Sequence, residues 1–198
     1  MVKELQACNQ VLVTQKKEMF EAFTGYETQN RYEVHLEDGV TLHAAEVGSG
    51  FLSRNFLNQM RPFEVLVADG SDKVCMKVTR PFRFIFHEVK VSNPAGVILG
   101  RVVRRFRVLN RLYEVKDAEG QTLFQIKGPI FKPWTFYIEN AQGEVGVITK
   151  KWSGFFKEAL TDADNFGLKL GCEIPADQKA VLLGAVFLID FVHFESGG

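Results

Sequence analysis

Residues 180–189 read AVLLGAVFLI, ten apolar residues in a row, with Lys179 in front and Asp190, then Phe191-Val192-His193-Phe194, behind. A helix that crosses a bilayer needs about 20 predominantly apolar residues. Stretching this run to 176–194 puts Asp190 inside the span, at about 2.5–3.5 kcal/mol if it lay at the bilayer centre. The run has no polar face, which is the pattern of a helix enclosed on every side by protein. The reading is a buried central helix over 176–192, with Ala180, Leu183, Gly184, Phe187, Leu188 and Asp190 among its defining positions. Such a helix needs walls.

The walls are strands. Segments 31–36 and 40–47 flank Glu37-Asp38-Gly39, and 63–68 and 73–79 flank Asp69-Gly70-Ser71-Asp72. Three more pairs follow: 84–91 with 97–103 around Asn93-Pro94-Ala95-Gly96, 112–116 with 121–127 around Asp117-Ala118-Glu119-Gly120, and 134–139 with 144–150 around Asn140-Ala141-Gln142-Gly143. Asp, Asn and Gly at these spacings are hairpin signals. The N-terminal segment, 1–23, supplies a further strand or a helix over 14–23, and a second helix is expected over 151–160. Tyr32, Val34 and Leu36 alternate with polar neighbours, so each strand has one covered face. With no long helices between strands a dinucleotide-binding fold is excluded, and closure into a barrel protects every edge. The fold class is mainly β, a barrel around a hydrophobic C-terminal helix.

Composition agrees with this. The chain has 198 residues, 46 % of them apolar, and 24 basic residues balance 24 acidic ones. One domain over 1–198 suffices at this size, burying roughly 70 % of its extended-chain surface without a metal or disulfide staple. Zero net charge excludes a protein that works as one large polycation. Eighteen phenylalanines are a heavy load that either fills a core or faces something apolar. The first residues carry no apolar signal region. Cys8, Cys75 and Cys172 are odd in number and form no CxxC pair, as expected of reduced thiols.

No catalytic constellation is present: the four histidines are scattered, and HExxH, GxSxG and a P-loop are all missing. His35 and His43 read as surface or cross-strand residues. Laid on the calcium-loop rule, residues 162–173 put Asp162 and Asp164 at positions 1 and 3, Asn165 at 4, Gly167 at 6 and Glu173 at 12. Phe166 breaks position 5, so the match is degenerate; the alternative is a capped turn. The second cluster is Arg101, Arg104, Arg105, Arg107 and Arg111, dense for a neutral chain. It suits anionic headgroups, at about 1 kcal/mol per surface-proximal cation, or nucleic-acid phosphates, or a solvated salt-bridged face.

Several segments carry a family resemblance: Thr24-Gly-Tyr-Glu-Thr-Gln-Asn-Arg-Tyr32, Arg61-Pro-Phe63, Arg80-Pro-Phe82, Lys127-Gly-Pro129 and Lys151-Trp-Ser-Gly154. The most specific are Glu158-Ala-Leu-Thr-Asp-Ala-Asp-Asn-Phe-Gly167 and the run from Lys179 to Glu195. In this order, over nearly the whole chain, they closely resemble the phospholipid scramblase family, whose barrel is shared with the tubby C-terminal domain. The resemblance implies a closed, antiparallel, twelve-stranded barrel around the C-terminal helix. It implies ATP-independent, calcium-stimulated, bidirectional movement of phospholipids between leaflets, hence calcium of low affinity as cofactor and no enzymatic chemistry. The family's calcium segment begins at the position matching Asp162, so Asp162, Asp164, Asn165, Phe166, Gly167 and Glu173 carry that assignment.

The chain also departs from the family pattern. Gly171-Cys-Glu-Ile-Pro175 stands where the family usually has Phe-Pro and two acidic residues, leaving Glu173 and Asp177 in their place. The family's cysteine run after the Arg-Pro element is absent from Arg80-Pro-Phe-Arg-Phe-Ile-Phe-His-Glu88, and its Pro-rich N-terminal extension is not matched. Membrane attachment is therefore expected from the arginine patch, from exposed phenylalanines or from the C-terminal helix. Anionic phospholipid membranes are the implied partner, at the cytoplasmic face of the plasma membrane, beside a cytoplasmic pool. Lys150-Lys151-Trp-Ser-Gly matches loosely a segment that aids nuclear import in some relatives. Two other functions stay open: a membrane-surface protein that binds lipid or calcium without flipping, and an adaptor for nucleic acid or protein.

Overall fold

The computed structural model describes residues 2–16, 30–47, 62–81, 87–150 and 165–194. Twelve strands form one closed antiparallel barrel: β1 (Gln10–Lys16), β2 (Arg31–Leu36), β3 (Thr41–Val47), β4 (Phe63–Ala68), β5 (Val74–Arg80), β6 (Glu88–Ser92), β7 (Ile98–Arg105), β8 (Asn110–Asp117), β9 (Thr122–Pro129), β10 (Thr135–Asn140), β11 (Gly143–Lys150) and β12 (Asn165–Leu170). Each strand pairs with its sequence neighbours, and β1 closes the ring on β12 through Val13↔Phe166 and Leu12↔Gly167. Among the described residues one α-helix, α1 (Ala176–His193), follows β12.

The five expected hairpin turns are all where the sequence puts them, and Gly39, Gly96, Gly120 and Gly143 have positive φ. That left-handed backbone costs a glycine nothing and a side-chain-bearing residue roughly 1–2 kcal/mol. Asp38, Asp69, Asn93, Asp117 and Asn140 each accept a hydrogen bond from a backbone N–H inside their own turn, which fixes the hairpin register.

Two sequence expectations need correction. The helix expected over 14–23 begins with Thr14-Gln15-Lys16, which lie in β1, paired to β2 on one side and with Thr14 paired to β12 on the other; two ladders outweigh a weak local helix preference. Residues 17–23 of it, the helix expected over 151–160 and Phe82 to Phe86 fall outside the described residues. Residues 165–170, read as part of a loop, are β12.

Inside the barrel sits α1. Its residues 179–192 are all buried, most of them completely. It lies closest to β6 and β7, where glycine permits the approach: a Cβ on Gly184 would stand 2.5 Å from Val91 Cγ2, and one on Gly100 would stand 2.8 Å from Val181 Cγ2. The inward alternation of the strands (Val34 and Leu36, Val65 and Val67, Met76 and Val78, Ile126, Ile138, Ile148) completes the core around it. Among the described residues no helix is long and apolar enough to cross a membrane.

The meander makes the two ends of the barrel different. At one end are the five short turns and the start of α1, where a 3-10 turn, Lys3–Leu5, buries Val2 and Leu5 against the core. Lys179, itself buried, donates to the Gln6 carbonyl at 2.9 Å and so ties α1 to this N-terminal segment. The other end holds the strand ends at Lys16, Val47, Arg80 and Lys150, the β7–β8 and β9–β10 loops, and the last turn of α1. We call it the distal end.

Candidate functional site

Toward the distal end the inward-facing positions turn from aliphatic to polar. Met76 and Val78 are followed on the same face by Arg80, Leu42 and Ala44 by Glu46, Ile148 by Lys150, and Val11 and Val13 by Gln15. Strand alternation sends all of these into the barrel mouth. They meet partners there. Gln15 Nε2 donates to Asn30 Oδ1 at 3.1 Å, and Asn30 Nδ2 donates to Glu46 Oε2 at 2.7 Å. The Tyr32 hydroxyl donates to Asp190 Oδ2 at 3.1 Å, so the one acid in the apolar helical run is satisfied from β2. Arg80 donates to His87 Nδ1 and stacks 4.4 Å from the Phe191 ring. Lys150 Nζ lies 4.0 Å from the Phe194 ring centroid.

This mouth is cationic and keeps its histidines neutral. His193 Nε2 is 2.6 Å from the Tyr113 hydroxyl, and burial first, then Arg104 and Arg111, pushes its pKa down to about 3. His87 is pushed down to about 4 by burial, then by Arg80 and Arg104. Burial also raises the Tyr113 hydroxyl. Cations placed around the last turn of α1 complement the negative end of its dipole.

The five arginines are not one patch. Gly100, Val102 and Arg104 share the inward face of β7, while Arg101 and Arg105 face outward. Arg105 donates to Glu114 at 2.8 Å, a rim-exposed pair. Arg107 stands in the exposed β7–β8 loop. Arg111 is a clamp: Nη1 donates to the Pro133 carbonyl at 2.6 Å, Nη2 to Lys132 and Pro129 at 3.0 and 3.1 Å, and Nε to Gly128 at 3.3 Å, with its guanidinium 4.3 Å from the Phe136 ring. Planar, multi-donor geometry of this kind cannot be copied by lysine. Arg111→Lys is expected to lower stability by about 1–2 kcal/mol and to speed amide exchange across 130–134; urea unfolding with exchange mass spectrometry reads both.

Above this mouth two loops expose apolar side chains. Phe106 is 86 % exposed and Phe131 97 %, with Val108, Leu109, Ile130 and Trp134 exposed beside them. Composition had announced a surplus of aromatic residues but not where it would surface.

A family model described as Scramblase matches residues 1–196. The chain belongs to the scramblase family. It is 33 % identical over 208 residues to phospholipid scramblase 1 of Rattus norvegicus, covering 98 % of this chain and 62 % of the relative. To phospholipid scramblase 1 of Homo sapiens it is 31 % identical, covering 98 % and 65 %, and to phospholipid scramblase 4 of Homo sapiens 28 %, covering 92 % and 60 %. The chain thus spans somewhat less than two thirds of the first relatives' length. No solved structure matches it. The closed twelve-stranded barrel with its C-terminal helix is the tubby-like architecture that the family resemblance implies.

The calcium frame of this scramblase-family chain does not form a single loop. Asp162 and Asp164 lie outside the described residues. Asn165, Phe166 and Gly167 are in β12, Phe166 pointing into the core, and the strand carries the chain roughly 17 Å from the distal end to the opposite one. Glu173 comes after it, 76 % exposed, with Asn9 Nδ2 at 3.4 Å and Lys179 Nζ at 3.9 Å. Asn165 Oδ1 and Thr14 Oγ1, cross-strand neighbours on the outer face, are buried without a hydrogen-bond partner among the described residues. Oxygen ligands of one calcium ion lie 2.3–2.6 Å from it, so Asn165 and Glu173 cannot serve the same ion. Among the described residues no group of three or more His, Cys, Asp or Glu could hold a metal.

Register, not local motif, assembles the mouth, and this is why sequence reading missed Gln15, Glu46, Arg80 and Tyr113. One signal was available: a polar residue that continues the parity of an apolar face, as in Met76-Val78-Arg80. The three cysteines are free thiols, as read, and burial raises Cys75 to about 11.

Proposed function

We propose that this chain acts on phospholipid membranes and moves phospholipids between leaflets without ATP. The family match across residues 1–196 carries the reading, since it covers the whole barrel and its helix. The relatives it aligns with are named phospholipid scramblases. A route through the barrel is closed by α1, whose side chains fill the interior. Lipid transfer on this reading therefore runs outside the barrel, through bilayer disturbed by the protein's surface.

The filled interior also favours a second reading, a surface lipid-binding protein without flipping activity. Reconstitution into vesicles with fluorescent lipid separates the two. The first reading expects label from the inner leaflet to move outward and be quenched by a membrane-impermeant reagent faster than in protein-free vesicles. Quenching confined to the outer leaflet, with protein bound, would leave only the second. Calcium stimulation, if drawn from the frame, would use its 162–165 side alone. Glu173→Gln is then expected to leave any calcium response of that assay unchanged, and loss of the response would restore Glu173 as a ligand.

A further inference from the structure

We propose that the β7–β8 loop, 106–109, and the β9–β10 loop, 130–134, form a membrane-inserting rim, with Phe106 and Phe131 as its leading side chains and an anionic lipid surface as its ligand. The inference rests on the reading above for the membrane and adds the surface that meets it. β7 and β9 run in the same direction in the meander, so both loops leave the barrel at the distal end. Arg111 on β8 binds three carbonyls of 129–133 and holds the second loop to the strand that begins where the first loop ends.

Phe106 and Phe131 are almost completely exposed, with the apolar Val108, Leu109 and Ile130 beside them. Apolar groups on the crests of two hairpins protrude rather than line a groove, which suits a fluid surface that closes around them. Arg107 and Lys132 stand exposed in the two loops, Arg104 and Arg111 lie in the mouth beneath them, Arg105 at the rim is paired with Glu114, and residues 104–111 and 129–137 contain no Asp or Glu. Aromatic crests set among cations match the headgroup and acyl boundary of an anionic leaflet, where aromatic rings partition and cations meet lipid phosphates. The Arg111 hydrogen bonds fix the second crest in advance, so little conformational entropy is lost on insertion.

Trp134 lies beside the crest and Trp152 is the other tryptophan, so a Trp152→Phe chain reports from the rim alone. Vesicles of phosphatidylcholine with phosphatidylserine and brominated acyl chains are expected to quench Trp134, and pure phosphatidylcholine vesicles to quench it far less. Phe106→Ser with Phe131→Ser is expected to weaken vesicle binding at least about tenfold with an unchanged thermal midpoint, since neither ring is in the core. Full binding by the double variant overturns the rim and leaves the membrane reading standing. A rim that binds in vesicles showing no lipid transfer supports the rim and removes the transfer. Failure of the parent chain to bind any vesicle, or retention on single-stranded DNA in place of vesicles, overturns the inference.

Discussion

Gly184→Leu is expected to prevent the barrel from closing and to leave the chain insoluble. Gly184 faces Val91 on β6 so closely that even a Cβ would sit 2.5 Å from Val91 Cγ2. Valine in a strand is stiff at χ1, and neither wall nor helix can retreat in a closed ring filled from within. Gly184→Ala measures the same contact gently. Alanine gains about 0.8–1 kcal/mol in helix propensity, while overpacking costs typically 1–3 kcal/mol, so the net is a loss of about 1 kcal/mol. Adding Val91→Ala removes the clashing methyl, and the pair is expected to couple favourably by about 1 kcal/mol in a double-mutant cycle. Denaturant midpoints decide it. A soluble Gly184→Leu protein with an unchanged midpoint would show that the helix is not held against β6.

Acidification is expected to destabilise the protein from about pH 6.5 down to about pH 4 through His87 and on to about pH 3 through His193. Their folded-state pKa values, about 3 and about 4, lie below the ordinary histidine value of 6.5. Above that value both states are neutral and nothing is lost. Below it the unfolded chain takes up protons that the folded barrel refuses, so stability falls as pH falls, until the folded pKa values are passed. For His193 the loss reaches about 2 kcal/mol at pH 5. His193→Gln is expected to flatten the profile while retaining a partner for Tyr113. Equal urea midpoints at pH 7 and pH 5 for the parent chain would contradict buried neutral histidines.

The parts of the fold that could be read in advance are those decided locally. Asp38-Gly39, Asn93 to Gly96 and Asp117 to Gly120 announce turns because only certain residues tolerate their backbone. The fenced run 180–189 announces an enclosed helix through its length and lack of a polar face. β12 was hidden because Asp162, Asp164, Gly167 and Glu173 mimic the spacing of a calcium loop, which draws its six residues into the reading of a loop or capped turn. Thr14, Gln15 and Lys16 were hidden by Met19, Phe20 and Phe23, whose spacing suits a helix. The arginines showed their density but not their faces: Arg104 and Arg111 turn inward, Arg101 and Arg105 outward, and only the pairing of β7 with β8 decides this. The mouth of Gln15, Asn30, Glu46, Arg80 and Lys150 comes from five distant places in the chain, and no spacing rule joins them.

If α1 stays inside the barrel, the distal loops rather than the helix meet the membrane. Amide hydrogen exchange with and without phosphatidylserine-containing vesicles tests it directly. Residues 180–190 are expected to exchange slowly in both conditions, and 106–109 and 130–134 to become protected only with vesicles. Fast exchange across β6 and β7 on vesicles, together with unchanged exchange in the two loops, would mean that the helix has left its barrel and that the helix, not the loops, meets the membrane.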